Sequence, residues 1–136
     1  MNITIHTDGG SRGNPGPAAT GYVIDIPRQE RIAHGEYIGE TTNNIAEYTA
    51  ILQSLTRLEQ ELDDPSQAVI ELKLDSELAQ KQLTGVYKIK NAGLKPIAQQ
   101  ILNKVELFDS VTFTHVKRAF NKDADAQVNI ALDSLS

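Results

Sequence analysis

The chain has 136 residues, enough for one domain with a real core, and its 40% hydrophobic and 23% charged residues are the balance of a globular protein. No apolar run is long enough to span a bilayer, and the chain is expected to open with a strand rather than a signal peptide. The absence of cysteine excludes disulfides, thiolate zinc sites and cysteine nucleophiles and suits a reducing cytoplasm, while a formal net charge of −5 argues weakly against a polyanionic partner unless divalent cations offset the acids locally. The first segment alternates, with Ile3, Ile5 and Thr7 set against Asn2, Thr4, His6 and Asp8, so a strand ending at Asp8 is predicted. A loop dense in glycine and proline follows. Residues 20–26 and 31–38 read as two further strands, separated by a turn at Pro27 and Arg28, and the short connections favour an antiparallel meander.

The period changes at Thr41-Thr42-Asn43-Asn44, which are residue types that cap helices. Ile45, Tyr48, Ile51, Leu52, Leu55, Leu58 and Leu62 then form one apolar stripe, and Asp63-Asp64-Pro65 should end it. Residues 68–75 read as a fourth strand, again ending in an aspartate. A short helix over 76–83 should close at Gly85. A polar, lysine-containing connection at 87–93 leads into a helix over 95–107, with Pro96 in its first turn and Ile97, Ile101, Leu102 and Val105 inward. Residues 111–116 make a fifth strand, 117–122 a basic loop and 123–135 a closing helix with Val128, Ala131, Leu132 and Leu135 apolar. Strand–helix–strand units call for parallel pairing. The predicted fold is therefore one α/β domain over 1–136. Its mixed five-stranded sheet has strands one to three antiparallel, strands four and five parallel to the first, and helices on both faces.

Asp8, Glu47, Asp75 and Asp125 all sit where elements begin or end. The ends of parallel strands and the starts of helices packed on them can meet at one sheet edge. Carboxylates gathered there repel one another unless cations bridge them, and a set without thiolate or imidazole suits Mg²⁺ or Mn²⁺. Taken singly, each acid has an ordinary role. Asp8 can be a turn residue, Glu47 and Asp125 favourable charges at a helix start, and Asp75 a helix cap; Asp123 competes with Asp125.

The strings Thr7-Asp8-Gly9-Gly10-Ser11-Arg12-Gly13-Asn14-Pro15-Gly16-Pro17, Thr42-Asn43-Asn44-Ile45-Ala46-Glu47-Tyr48, Leu74-Asp75-Ser76-Glu77, Lys88-Ile89-Lys90-Asn91 and Arg118-Ala119-Phe120-Asn121-Lys122-Asp123-Ala124-Asp125 resemble, in order, the motifs of type 1 ribonuclease H. The resemblance covers nearly the whole chain. The glycine-rich loop is no phosphate P-loop, because no Gly-Lys-Ser/Thr follows it. The resemblance implies a metal-dependent endonuclease that cuts the RNA strand of an RNA–DNA hybrid and leaves 5′-phosphate and 3′-hydroxyl ends. By motif position Asp8, Glu47, Asp75 and Asp125 match the family's acidic quartet, Asp125 fitting better than Asp123 because Ala124 precedes it. Two Mg²⁺ (or Mn²⁺) ions are implied, with Asp8 bridging both. Asn14, Asn43 and Asn44 match positions that touch the hybrid's minor groove, where amide side chains can read 2′-hydroxyls without demanding a sequence. Glu77 matches a hybrid contact, and Thr42 and Asn91 a pocket for a DNA-strand phosphate. Turn, cap and loop roles are the ordinary alternatives for these asparagines.

The chain departs from the family pattern in places. The loop at 117–122 holds no histidine, and His115 lies on the preceding strand; Arg118 stands in its place, followed by Ala119 rather than a glutamate. The long basic insertion of some members is missing, leaving Lys88, Lys90 and Lys95 in that region. A monomer acting on RNA–DNA hybrid, with no membrane partner, is expected. A non-catalytic nucleic-acid-binding module of the same fold and a nuclease that also cuts double-stranded RNA are the alternatives. The first should lack one of the four acids, and all four are present.

Overall fold

The computed structural model describes residues 1–135. In chain order it contains β1 (Asn2–Ser11), β2 (Gly16–Asp25), β3 (Ile32–Thr41), α1 (Asn43–Glu61), β4 (Val69–Leu74), α2 (Glu77–Leu83), α3 (Lys95–Val105), β5 (Ser110–His115) and α4 (Lys122–Asp133), with short 3-10 turns at Pro65–Gln67 and Arg118–Phe120. The five strands form one sheet in the order β3-β2-β1-β4-β5. Pairing is antiparallel between β1 and β2 and between β2 and β3, and parallel between β1 and β4 and between β4 and β5. This is the mixed sheet that the order of elements predicts.

The alternation in β1 works as expected, burying Ile3, Ile5 and Thr7 on one face. That face carries the main core. Tyr48 and Leu55 of α1, Ala79 of α2 and Ile101 of α3 pack there with Ile5 and Leu72. The opposite face holds a smaller cluster, in which Val128, Ala131 and Leu132 of α4 cover Ala19. Removing a fully buried side chain such as Leu55, which is 0% exposed, would cost about 2–5 kcal/mol.

Four local expectations need correction. Asp8 does not end its strand: β1 runs on through Gly9, Gly10 and Ser11, which pair with Thr20, Ala19 and Ala18, so β2 begins at Gly16 rather than at residue 20. Glycine suggested a loop, but the growing β1–β2 ladder, closed by Arg12 N–H donating to Pro17 O at 2.8 Å, overrides that weak local preference. β3 likewise extends to Thr41, with a bulge where Ala18 pairs with Gly39 and Ala19 with Tyr37. In α3, Leu102 is 41% exposed, while Ala98 and Ile101, like Leu94 just before the helix, are buried, because the helix meets the core along a narrower seam than its apolar residues suggest. Finally, α4 stops at Asp133, and Leu135 lies beyond it, 49% exposed.

Candidate active site

The extension of β1 past Asp8 occurs on one side only. The parallel ladder to β4 ends with the pair Thr7 and Leu74, so Asp8 and Asp75 are the next residues on two neighbouring strands whose pairing has just stopped. Both carboxylates thus stand at the carboxyl edge of the parallel part of the sheet, where α/β folds commonly place ligands. Asp75 is free for such work because it does not cap α2. Ser76 does, its Oγ accepting the Ala79 N–H at 3.1 Å.

Two helices bring the remaining acids to this edge, each across a glycine. α1 crosses β1 so closely at Gly9 that a Cβ there would collide with the Ala46 carbonyl and the Glu47 backbone nitrogen. The missing side chain therefore seats Glu47 beside Asp8. On the other face a Cβ on Gly21, the antiparallel partner of Asp8, would lie 2.5 Å from Ala124 O and 2.9 Å from Val128 N. The first turns of α4 rest on that gap and carry Asp125 to the same place.

Asp8, Glu47, Asp75 and Asp125 line one cleft of about 400 Å³, with Asn43 and Arg118 at its walls. Burial pushes Asp8 up to about 8, helped by the charges of Asp75 and Asp125 and a hydrogen bond shared with Asp125. Burial likewise raises Glu47 to about 7; the Asp75 charge adds to this, while a hydrogen bond with Ser76 and the Arg118 charge oppose it. A metal-free site at neutral pH thus holds protons that a divalent cation would displace. Among the described residues no group of three or more His, Cys, Asp or Glu side chains is already arranged to hold a metal ion, and the four carboxylates share one cleft. An all-oxygen donor set whose members repel one another fits hard cations such as Mg²⁺ or Mn²⁺.

Asp123 is excluded from this group. Its carboxylate accepts from Arg31 Nη1 at 2.5 Å, and Arg31 also holds Asp25 through Nε at 2.8 Å and Nη2 at 2.9 Å. The two aspartates of the first turn of α4 therefore do different things, one tied to the β2–β3 connection and the other lining the cleft.

The expected substrate-contacting residues fall into two groups. Asn14 and Asn43 are also building parts. Asn14 Oδ1 accepts the Asn43 N–H at 3.1 Å, and Asn43 Oδ1 accepts the Ser11 N–H at 2.8 Å and the Ser11 hydroxyl at 3.1 Å. Together they tie the β1–β2 turn to the start of α1. Thr42, rather than either asparagine, caps α1 by accepting the Ile45 N–H at 3.3 Å. Asn91 Oδ1 accepts the Gly93 N–H at 2.7 Å, and a Cβ on Gly93 would lie 3.6 Å from Ile45 Cδ1, so this turn packs against the α1 start that Thr42 caps. Asn44, Glu77 and Arg118 are exposed; Glu77 pairs with Lys81 at 3.4 Å, and Arg118 reaches the carboxylate cleft from the 3-10 turn. Sequence reasoning gave no role to Asn121, which is only 1% exposed and donates from Nδ2 to Thr7 O at 2.9 Å and to Asp75 Oδ2 at 3.4 Å. The available signals were its place in the motif string that ends at Asp125, which gives no contact, and a capping residue type directly before a helix, which points to a cap rather than to a buried bridge.

A sheet edge that gathers four carboxylates between two helices defines the class of protein, one built on the reverse transcriptase-like family model, which matches residues 6–131. "Ribonuclease HI" of Halobacterium salinarum is 42% identical over 133 residues, covering 96% of this chain and 64% of that protein. "Bifunctional protein Rv2228c" of Mycobacterium tuberculosis is 34% identical over 136 residues, covering 98% of this chain and 36% of that protein, so the chain spans under two thirds of the length of both relatives. The solved structure of LC11-RNase H1 in complex with RNA/DNA hybrid superimposes with a TM-score of 0.91 at 41% identity, covering 98% of this chain and 99% of that one. The chain belongs to the type 1 ribonuclease H family.

Proposed function

We propose that the protein is a divalent-metal-dependent endoribonuclease that hydrolyses the RNA strand of RNA–DNA hybrids, leaving 5′-phosphate and 3′-hydroxyl ends. The observation that carries this reading is the shared cleft of Asp8, Glu47, Asp75 and Asp125, two of them with raised proton affinity. These four side chains would hold a pair of Mg²⁺ or Mn²⁺ ions, whose chemistry when bound is to activate water and to stabilise charge on the leaving oxygen. Asp8 has the most to gain from such ions, being the most strongly perturbed of the four and flanked by two other acids.

The rest of the surface supports the substrate. Arg118, beside the carboxylates, can pair with a backbone phosphate in place of the missing loop histidine. Exposed Asn44 and the Asn14–Asn43 pair present amide groups suited to 2′-hydroxyls and minor-groove edges. Thr42 and Asn91, on packed neighbouring turns, would receive a DNA-strand phosphate, and Glu77 would touch the hybrid from the start of α2. LC11-RNase H1, at 41% identity, has been captured with an RNA/DNA hybrid, which favours the same ligand here. Among the described residues no helix is long and apolar enough to cross a membrane. We place the protein in the cytoplasm as a monomer.

The test is hydrolysis of an end-labelled RNA–DNA hybrid with Mg²⁺ or Mn²⁺, with double-stranded RNA and single strands run alongside. Metal-dependent cuts in the RNA strand of the hybrid are expected. A pure, folded protein that cuts none of these substrates would instead be a binding module.

A further inference from the structure

We infer that Asn121 is a positioning residue that holds the carboxylates of the cleft in register, an inference that rests on the metal-dependent reading of the site. Asn121 occupies the N-cap position of α4 but makes no side-chain cap bond. An asparagine there ordinarily turns its Oδ1 onto the helix's own free N–H groups. Here Oδ1 is buried without a hydrogen-bond partner, and the side chain is directed backwards into the sheet edge. Neither the lost cap nor the unpartnered oxygen stabilises the fold. What the arrangement achieves lies at Nδ2.

Through that one amide and its own carbonyl, Asn121 touches three of the acid-bearing positions. Nδ2 donates to Thr7 O, the backbone carbonyl directly before Asp8, at 2.9 Å. Nδ2 also approaches Asp75 Oδ2 at 3.4 Å. The Asn121 carbonyl accepts the Asp125 N–H at 3.2 Å, the bond that starts α4. Asp8 in β1, Asp75 just past the end of β4 and Asp125 in α4 are far apart in sequence, and all three are referenced to a single buried residue. Thr7 and Leu74 are the last paired residues of the parallel ladder, so no further ladder bond ties Asp8 to Asp75. Asn121 takes over where the sheet's own hydrogen bonds stop.

The amide is the group this position demands. A carboxylate would set an acceptor against the Thr7 carbonyl and a further negative charge against Asp75, while serine would be too short to span both. Groups that orient metal-holding side chains typically change metal affinity or activity by about 10–100-fold when replaced.

The experiment compares the full chain with Asn121→Asp and Asn121→Ser. Mg²⁺ and Mn²⁺ affinity are measured by titration calorimetry without nucleic acid, melting is measured in EDTA, and kcat and KM are measured on a hybrid below the melting range. Metal affinity should fall about 10–100-fold in both variants, more for Asp, with a matching fall in kcat and a KM for hybrid within about twofold of the parent. Variants that bind metal as the parent does, whatever their melting temperature, would overturn the inference. So would a loss of metal affinity that appears only in samples already partly unfolded in EDTA. A parent protein that itself neither binds metal nor cuts hybrid would overturn the functional reading instead.

Discussion

Replacing Asp8 with asparagine should make the metal-free protein more stable while abolishing cleavage. Asp8 moves from an ordinary 3.8 to about 8 in the folded chain, through burial first and the neighbouring Asp75 and Asp125 charges second. Each step of one is worth about 1.4 kcal/mol, so full ionisation of Asp8 in the fold costs at most ~6 kcal/mol. Water in the open cleft screens much of this, and ~1–3 kcal/mol is expected at pH 8. The sign follows from proton counts. Between about pH 4 and pH 8 the folded chain keeps a proton that the unfolded chain has lost, so parent stability falls as pH rises through that window. The asparagine side chain cannot ionise, and the variant escapes the fall. In EDTA at pH 8 it should melt ~3–10 °C above the parent, with the gap shrinking towards pH 4. Adding Mg²⁺ should raise the parent's melting temperature and leave the variant's nearly unchanged. Thermal melts at pH 5 and pH 8, each with EDTA and with Mg²⁺, measure all four corners. A variant no more stable than the parent in EDTA at pH 8, or one stabilised equally by Mg²⁺, would refute the claim that Asp8 is a strained, cation-seeking carboxylate.

The other predictions concern how the acids are brought together. Gly9→Ala should destabilise the fold by roughly 3 kcal/mol or more and reduce cleavage, because the added methyl meets helix backbone that cannot step aside; chemical denaturation gives the first number and the hybrid assay the second. Asp125→Asn should abolish cleavage, whereas Asp123→Asn should cut hybrid within a few-fold of the parent and lose no more than ~1 kcal/mol, since its pair with Arg31 is largely exposed. Equal losses in these two variants would mean that the cleft does not distinguish the two aspartates.

Much of this molecule was readable in its sequence. Period-two burial in Ile3, Ile5 and Thr7 and the period-3.6 stripe from Tyr48 to Leu58 are properties of local chain geometry, and both are present in the fold. The four acids could be named because residue type and motif order are one-dimensional signals. The extent of β1 and β2 could not, because Gly9, Gly10 and Gly16 are poor strand formers that only completed ladders, to β2 for the first two and to β3 for the third, hold in place. Nor could the exposure of Leu102, which depends on where α3 touches its neighbours.

The linear order of residues determined the elements, their parallel or antiparallel pairing and the identity of the carboxylates, since each of these follows from short-range periodicity, connection length or motif order. Only the packed chain decided that Arg31 ties Asp123 down outside the cleft and that Asn121 is a buried bridge instead of a cap. Those outcomes turn on hydrogen bonds and ion pairs between residues distant in sequence, up to 114 positions apart for Asn121 and Thr7. Local propensity is silent about partners that arrive only when the helices settle onto the sheet.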